Sequence, residues 1–158
     1  MGQVLGLAAK RLQWVPKKAH LLAVPLHEKR LHRRGYNQAE LLVEGAARHL
    51  FRPRLPLGTV IRKSDTAVSN KLGPPARRAN LKGVFQVAKP ATVAGKVLCV
   101  IDDIYTTGAT LDEMARTLLY AGAAEVYALT FAIAVTENFP DESGSDSLML
   151  CHKQEGGQ

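Results

Sequence analysis

The stretch VLCVIDDIYTTGATL, residues Val97 to Leu111, decides the fold. Val97-Leu98-Cys99-Val100-Ile101 is an unbroken apolar run rich in β-branched side chains, the pattern of a strand buried on both faces in a parallel sheet. Two adjacent carboxylates, Asp102 and Asp103, stand at its end, and a short loop, Ile104–Gly108, leads from them into a helix. That helix is predicted from Thr110 to Ala121, with Asp112 and Glu113 in its first turn and Gly122 as its stop. In an open α/β sheet, ligands sit at the carboxyl ends of the strands. Here Tyr105, Thr106, Thr107, Gly108, Ala109 and Thr110 bring consecutive backbone N–H groups and threonine hydroxyls to a helix N-terminus. Unsatisfied amides and the helix dipole both favour a phosphate there, and Gly108 lets the backbone approach it without a Cβ in the way. Paired carboxylates would repel that phosphate, so they suit the hydrogen-bond donors of a sugar on the same ligand. A sugar phosphate satisfies both halves of the motif.

Upstream, His20-Leu21-Leu22-Ala23-Val24 reads as a short buried strand stopped by Pro25, and Leu26 to Tyr36 as a basic loop. Asn37 precedes Glu40 by three residues, the spacing of a capping box, and Gln38–Leu50 is apolar at 39, 42, 43, 46 and 50, which is helical. The Pro-rich piece Arg52–Gly58 ends that helix. Thr59-Val60-Ile61 is a second strand candidate, residues 62–82 a long polar and basic loop, and Val84–Val87 a weak strand. Val126–Val135 is another apolar strand. Strands alternating with helices predict a three-layer α/β fold with a mostly parallel, Rossmann-like sheet. We expect a core domain over residues 20–135, preceded by a frayed or amphipathic segment 1–19 and followed by a mostly disordered acidic tail 136–158.

The 158 residues suit one domain, and 46% hydrophobic with 22% charged residues suffices for a buried core. Two cysteines in unrelated contexts, Cys99 and Cys151, point to a reducing compartment and leave no CxxC pair for zinc. No apolar run approaches the ~20 residues that span a bilayer. Lys10 and Arg11 follow the apolar start instead of preceding it, so a cytoplasmic protein without a signal peptide or membrane partner is expected. The net charge of +7 divides unevenly: residues 1–90 carry +14 and residues 91–158 carry −7. A half so basic implies an anionic partner, nucleic acid or polyphosphate, unless it is only a solubilising surface. Against a single-strand groove, residues 15–90 offer just Tyr36, Phe51 and Phe85 for base stacking.

The run Val100–Thr110 resembles the phosphoribosyl-pyrophosphate (PRPP) motif of type I phosphoribosyltransferases. With Val24-Pro25-Leu26-His27, Arg33-Arg34-Gly35-Tyr36-Asn37-Gln38-Ala39-Glu40, Arg77-Arg78-Ala79-Asn80-Leu81-Lys82-Gly83-Val84-Phe85 and Gly122-Ala123-Ala124-Glu125-Val126, residues 20–134 are similar to the ComF family of competence-associated phosphoribosyltransferase-like proteins. The resemblance implies a type I phosphoribosyltransferase fold that binds Mg²⁺ with PRPP. Asp102 and Asp103 would hold the ribose hydroxyls and meet the metal only indirectly, through the bound Mg-PRPP. Tyr105 would adjoin the phosphate loop, stacking on a base or ribose or simply packing, while Thr106, Thr107, Gly108, Ala109 and Thr110 would hold the 5′-phosphate. The loop near Leu26, His27 and Lys29 would face pyrophosphate, and Arg33 and Arg34 are the preferred candidates, ahead of Arg30, Arg77 and Arg78, to stabilise it as a leaving group. Residues 62–82 would be the flap that closes over the ligand. Relatives that salvage purine bases often place an acid where this chain has Thr106, so no resident general base is expected. The activities implied are phosphoribosyl transfer to a nitrogen acceptor, PRPP sensing without turnover, or an accessory role in competence with single-stranded DNA or a helicase as partner. A homodimer is common in this superfamily.

Overall fold

The computed structural model describes residues 15–65, 79–133 and 154–155. Strand β1 (His20–Ala23) is followed by helices α1 (Glu28–Arg34) and α2 (Gln38–Leu50). Strands β2 (Val60–Arg62) and β3 (Phe85–Val87) precede β4 (Val97–Tyr105), helix α3 (Ala109–Tyr120) and β5 (Glu125–Ile133). Gln154–Glu155 form a last short strand, β6. The main sheet runs β1-β4-β5-β6, parallel except for the antiparallel β6. Beyond β1, Pro53 and Leu55 exchange backbone hydrogen bonds with Leu21, a single bridge that extends the parallel edge.

Three layers follow from alternation along β4. Val97, Cys99 and Ile101 pack with Leu21, Ala23, Tyr127 and Leu129 against Ala39, Leu42, Val43 and Ala46 of α2. Leu98 and Val100 pack with Leu22, Val126 and Ala128 against Leu111, Met114 and Leu118 of α3. The central strand is therefore buried on both faces, as its unbroken apolar run predicts. Cys99, fully buried, serves as a small apolar residue. The α/β class, parallel sheet and helix-covered faces agree with a Rossmann-like architecture.

Several boundaries differ from the sequence reading. Leu26–Tyr36 is not a loop throughout, because α1 forms within it. His27 caps that helix, its ring nitrogen accepting the Lys29 N–H at 3.3 Å, and Glu28 with the basic last turn suits the helix dipole. Gly35 closes it at φ 78°, its N–H bonded to the Leu31 carbonyl. β4 continues through both aspartates to Tyr105, because Asp102, Ile104 and Tyr105 still pair with Thr130, Ala132 and Ile133 of β5. The loop after it thus shortens to Thr106–Gly108. β2 and β3 leave the main sheet and pair antiparallel with each other, packing Val60 and Phe85 onto the α3 face. Of the expected flap, residues 66–78 lie outside the described residues, as do 1–14 of the N-terminal segment. The last two residues of the expected strand, 134–135, and most of the tail, 136–153 and 156–158, also lie outside them, while Gln154 and Glu155 pair with Val126 and Glu125. Among the described residues, no helix is long and apolar enough to cross a membrane.

Candidate functional site

Two neighbouring parallel strands, β1 and β4, deliver their carboxyl ends to the same edge of the sheet. The Val24 N–H bonds the Ile101 carbonyl at 3.0 Å, so the chain leaving β1 passes directly beside the residues that lead into Asp102. Asn37 fixes that exit. Its side-chain amide donates to the Val24 carbonyl at 3.0 Å while its oxygen caps α2 by accepting the Ala39 N–H at 3.1 Å.

Asp102 and Asp103 are half-buried on β4. The Asp103 N–H donates to Asp102 Oδ1 at 2.9 Å. Burial, then the neighbouring charge of Asp103, pushes the Asp102 carboxyl up to about 7, against the opposing pull of that N–H and of Arg62. Across the ladder from Asp102, Thr130 is fully buried, and its hydroxyl has no hydrogen-bond partner among the described residues. An ionisable acid and an orphaned hydroxyl are thus held side by side at a strand end.

Thr106, Thr107 and Gly108 turn the chain from β4 into α3. Thr106 is exposed, Thr107 and Thr110 are half-buried, and Ala109 is buried under the turn. Gly108 has φ 74°, a conformation that L side chains rarely adopt. A Cβ there would also lie 2.8 Å from the Tyr105 hydroxyl oxygen, so the glycine makes room for Tyr105 as well as for any ligand. Tyr105 itself is half-buried and packs on the α3-side core. Asp102, Ile104, Tyr105, Thr106, Gly108, Thr110 and Leu111 line a shallow cleft. A larger cleft opens at the end of β1 beside Glu40, but none of the paired carboxylates or phosphate-loop residues lines it.

Arg62 is the cation whose charge reaches Asp102. Arg33 and Arg34 sit in the exposed last turn of α1, and Arg34 donates to Gln38 Oε1 at 2.7 Å. Leu26 and His27 are half-buried where the chain leaves β1. It is Arg30 and Arg62 that the fold draws together. Burial lowers the Arg62 pKa, Arg30 nearby lowers it further, and Asp65 and Asp102 oppose both. Arg62 also stacks over Phe85 with its guanidinium carbon 5.6 Å from the ring centre. Arg62, the first residue of the expected basic flap, lies instead in β2, and pairing with β3 carries it towards Asp102.

Among the described residues, no group of three or more His, Cys, Asp or Glu side chains could hold a metal ion. The two aspartates do fit a hard cation that arrives on phosphate oxygens, since Mg²⁺ is commonly shared between one or two carboxylates and a substrate's phosphates.

The fold and this strand-end region define a class: an α/β protein with a shallow cleft at the carboxyl edge of a parallel sheet. No family model matches the chain. It is similar to DNA utilization protein YhgH of Salmonella typhi, 37% identical over 120 residues, which is 76% of this chain and 52% of that protein. It is 35% identical over 119 residues to competence protein F of Haemophilus influenzae, covering 75% of this chain and 52% of the other. Competence protein ComFC of Streptococcus pneumoniae is 34% identical over 110 residues, 70% of this chain and 46% of that protein. The chain spans about half the length of the curated relatives it matches. The names of these relatives refer to competence or DNA utilization.

Proposed function

We propose that this chain is a phosphoribosyltransferase-like member of the ComF family that binds PRPP with Mg²⁺ at the end of β4. The observation that carries this reading is the pairing of half-buried Asp102 and Asp103 with a Gly108-led helix start at the same strand end. In this reading the aspartates accept hydrogen bonds from the ribose hydroxyls, and the 5′-phosphate takes the amides and hydroxyls from Thr106 to Thr110. His27, Lys29, Arg30 and Arg62 face the pyrophosphate, where guanidinium forks suit its oxygens. Mg²⁺, when bound, would supply charge neutralisation on the phosphates, and Asp102 and Asp103 would meet it indirectly, through the ligand. Transfer of the phosphoribosyl group to a nitrogen acceptor is the reaction such a site would support.

Calorimetry with PRPP and Mg²⁺ tests the reading on wild type and on Asp102→Asn/Asp103→Asn. Binding that the double substitution abolishes is expected, and equal binding by both proteins would sink the proposal. Release of pyrophosphate with a panel of nitrogen nucleophiles then separates an enzyme from a sensor.

The names of the relatives favour a second, compatible reading, a role in competence or DNA utilisation. There the basic half contacts single-stranded DNA or a helicase partner. Oligonucleotide affinity that falls steeply with salt, in a protein with no affinity for PRPP, would replace the first reading with this one.

A further inference from the structure

Asp65, just beyond β2, lies among the cations that the proposed site would turn towards a polyanion. Arg30 Nε donates to its Oδ1 at 2.8 Å. That hydrogen bond, against the effect of burial, holds the Asp65 carboxyl below the usual range, and the charges of Arg30, His27 and Lys29 add to it. Arg62 feels the same carboxylate together with Asp102, while being opposed by Arg30. Like charges gathered this closely cost free energy unless an anion lies between them. Here the chain supplies its own, but a carboxylate brings a single negative charge, whereas a diphosphate brings several to the same donors.

We propose that Asp65 is an internal competitor: its carboxylate occupies the cationic end of the site until a multiply charged ligand displaces it from Arg30. Asp65 therefore lowers the apparent affinity for every anion and sets a threshold that singly charged anions do not pass. The tethered carboxylate acts at high effective concentration, and a ligand that must displace it binds more weakly by the fraction of molecules already open. This inference rests on the proposed function for two things, that the ligand is a polyanion and that these cations face it.

Inorganic pyrophosphate is the probe, titrated by calorimetry into the full chain. Because the ion pair is partly exposed, Asp65→Asn is expected to tighten pyrophosphate binding roughly two- to five-fold. Arg30→Gln should weaken it, and in that background Asp65→Asn should gain less. Equal or weaker binding by Asp65→Asn, no binding by either protein, or an undiminished gain in the Arg30→Gln background would each overturn the inference. Pyrophosphate has no sugar, so the outcome separates from the PRPP test. Should Asp102→Asn/Asp103→Asn leave PRPP binding unchanged while Asp65→Asn still tightens pyrophosphate, the function falls and the competitor stands.

Discussion

Asp102 carries its charge at a cost. In the unfolded chain its proton leaves near the ordinary carboxylate value of about 3.9, whereas in the folded chain burial and Asp103 retain it to about 7. Between those values the folded state binds more protons, so the contribution of this group to stability is full below the lower value and drains away as pH climbs through the upper one. Asp102→Asn removes the ionisable group. Its melting temperature should match wild type near pH 4 and exceed it by a few degrees at pH 8, on a scale of roughly 2–4 °C per kcal/mol. Melting curves across that range check this, and a gap that stays constant with pH would show that Asp102 does not titrate as described. A strand end that is more stable without its acid is what a ligand site, and not a structural cap, would show.

At the scale of elements, α1 and β4 show where pattern reading succeeds and where it stops. The periodic apolar positions of α2 predict that helix to the residue, 38–50, because periodicity records burial. α1 buries none of its residues and so leaves no periodicity to read. Its helix is stabilised by end effects, the His27 cap, the charge order along the dipole and the left-handed Gly35. β4 outruns its apolar core because pairing with β5 continues past the point where burial on both faces ends. Asn37 joins these elements, since one side chain caps α2 and ties the end of β1. Asn37→Ala is expected to cost about 1–2 kcal/mol in chemical denaturation, against a typical ~1 kcal/mol for a cap alone. Asn37→Gly would recover most of the cap but not the tie to Val24.

For the whole molecule, the β2–β3 hairpin matters because it lays Arg62 over the end of β4, and buried Glu113 on α3 holds it there. Its carboxylate accepts the Gly83 N–H at 2.6 Å and pairs with Arg116. Burial would raise its pKa, but the hydrogen bonds from Arg116 and Gly83 outweigh burial and hold it below the usual range. Stability from this carboxylate is thus present above the unfolded value and lost as pH falls through the folded one. Glu113→Gln should destabilise the fold by about 1–3 kcal/mol near neutral pH, measured by denaturant unfolding, and should lose less than wild type on acidification. By itself the sequence determined the parallel core, helices α2 and α3 and the order of strand, aspartates, turn and helix around Asp102, because burial and a strand–turn–helix order are written locally. Only the tertiary structure decided that Arg62 faces Asp102 and that Arg30 pairs with Asp65. Arg30 stands far in sequence from Arg62 and Asp65, as Arg62 does from Asp102, and no local pattern encodes which charges a packed hairpin and an unburied helix bring together.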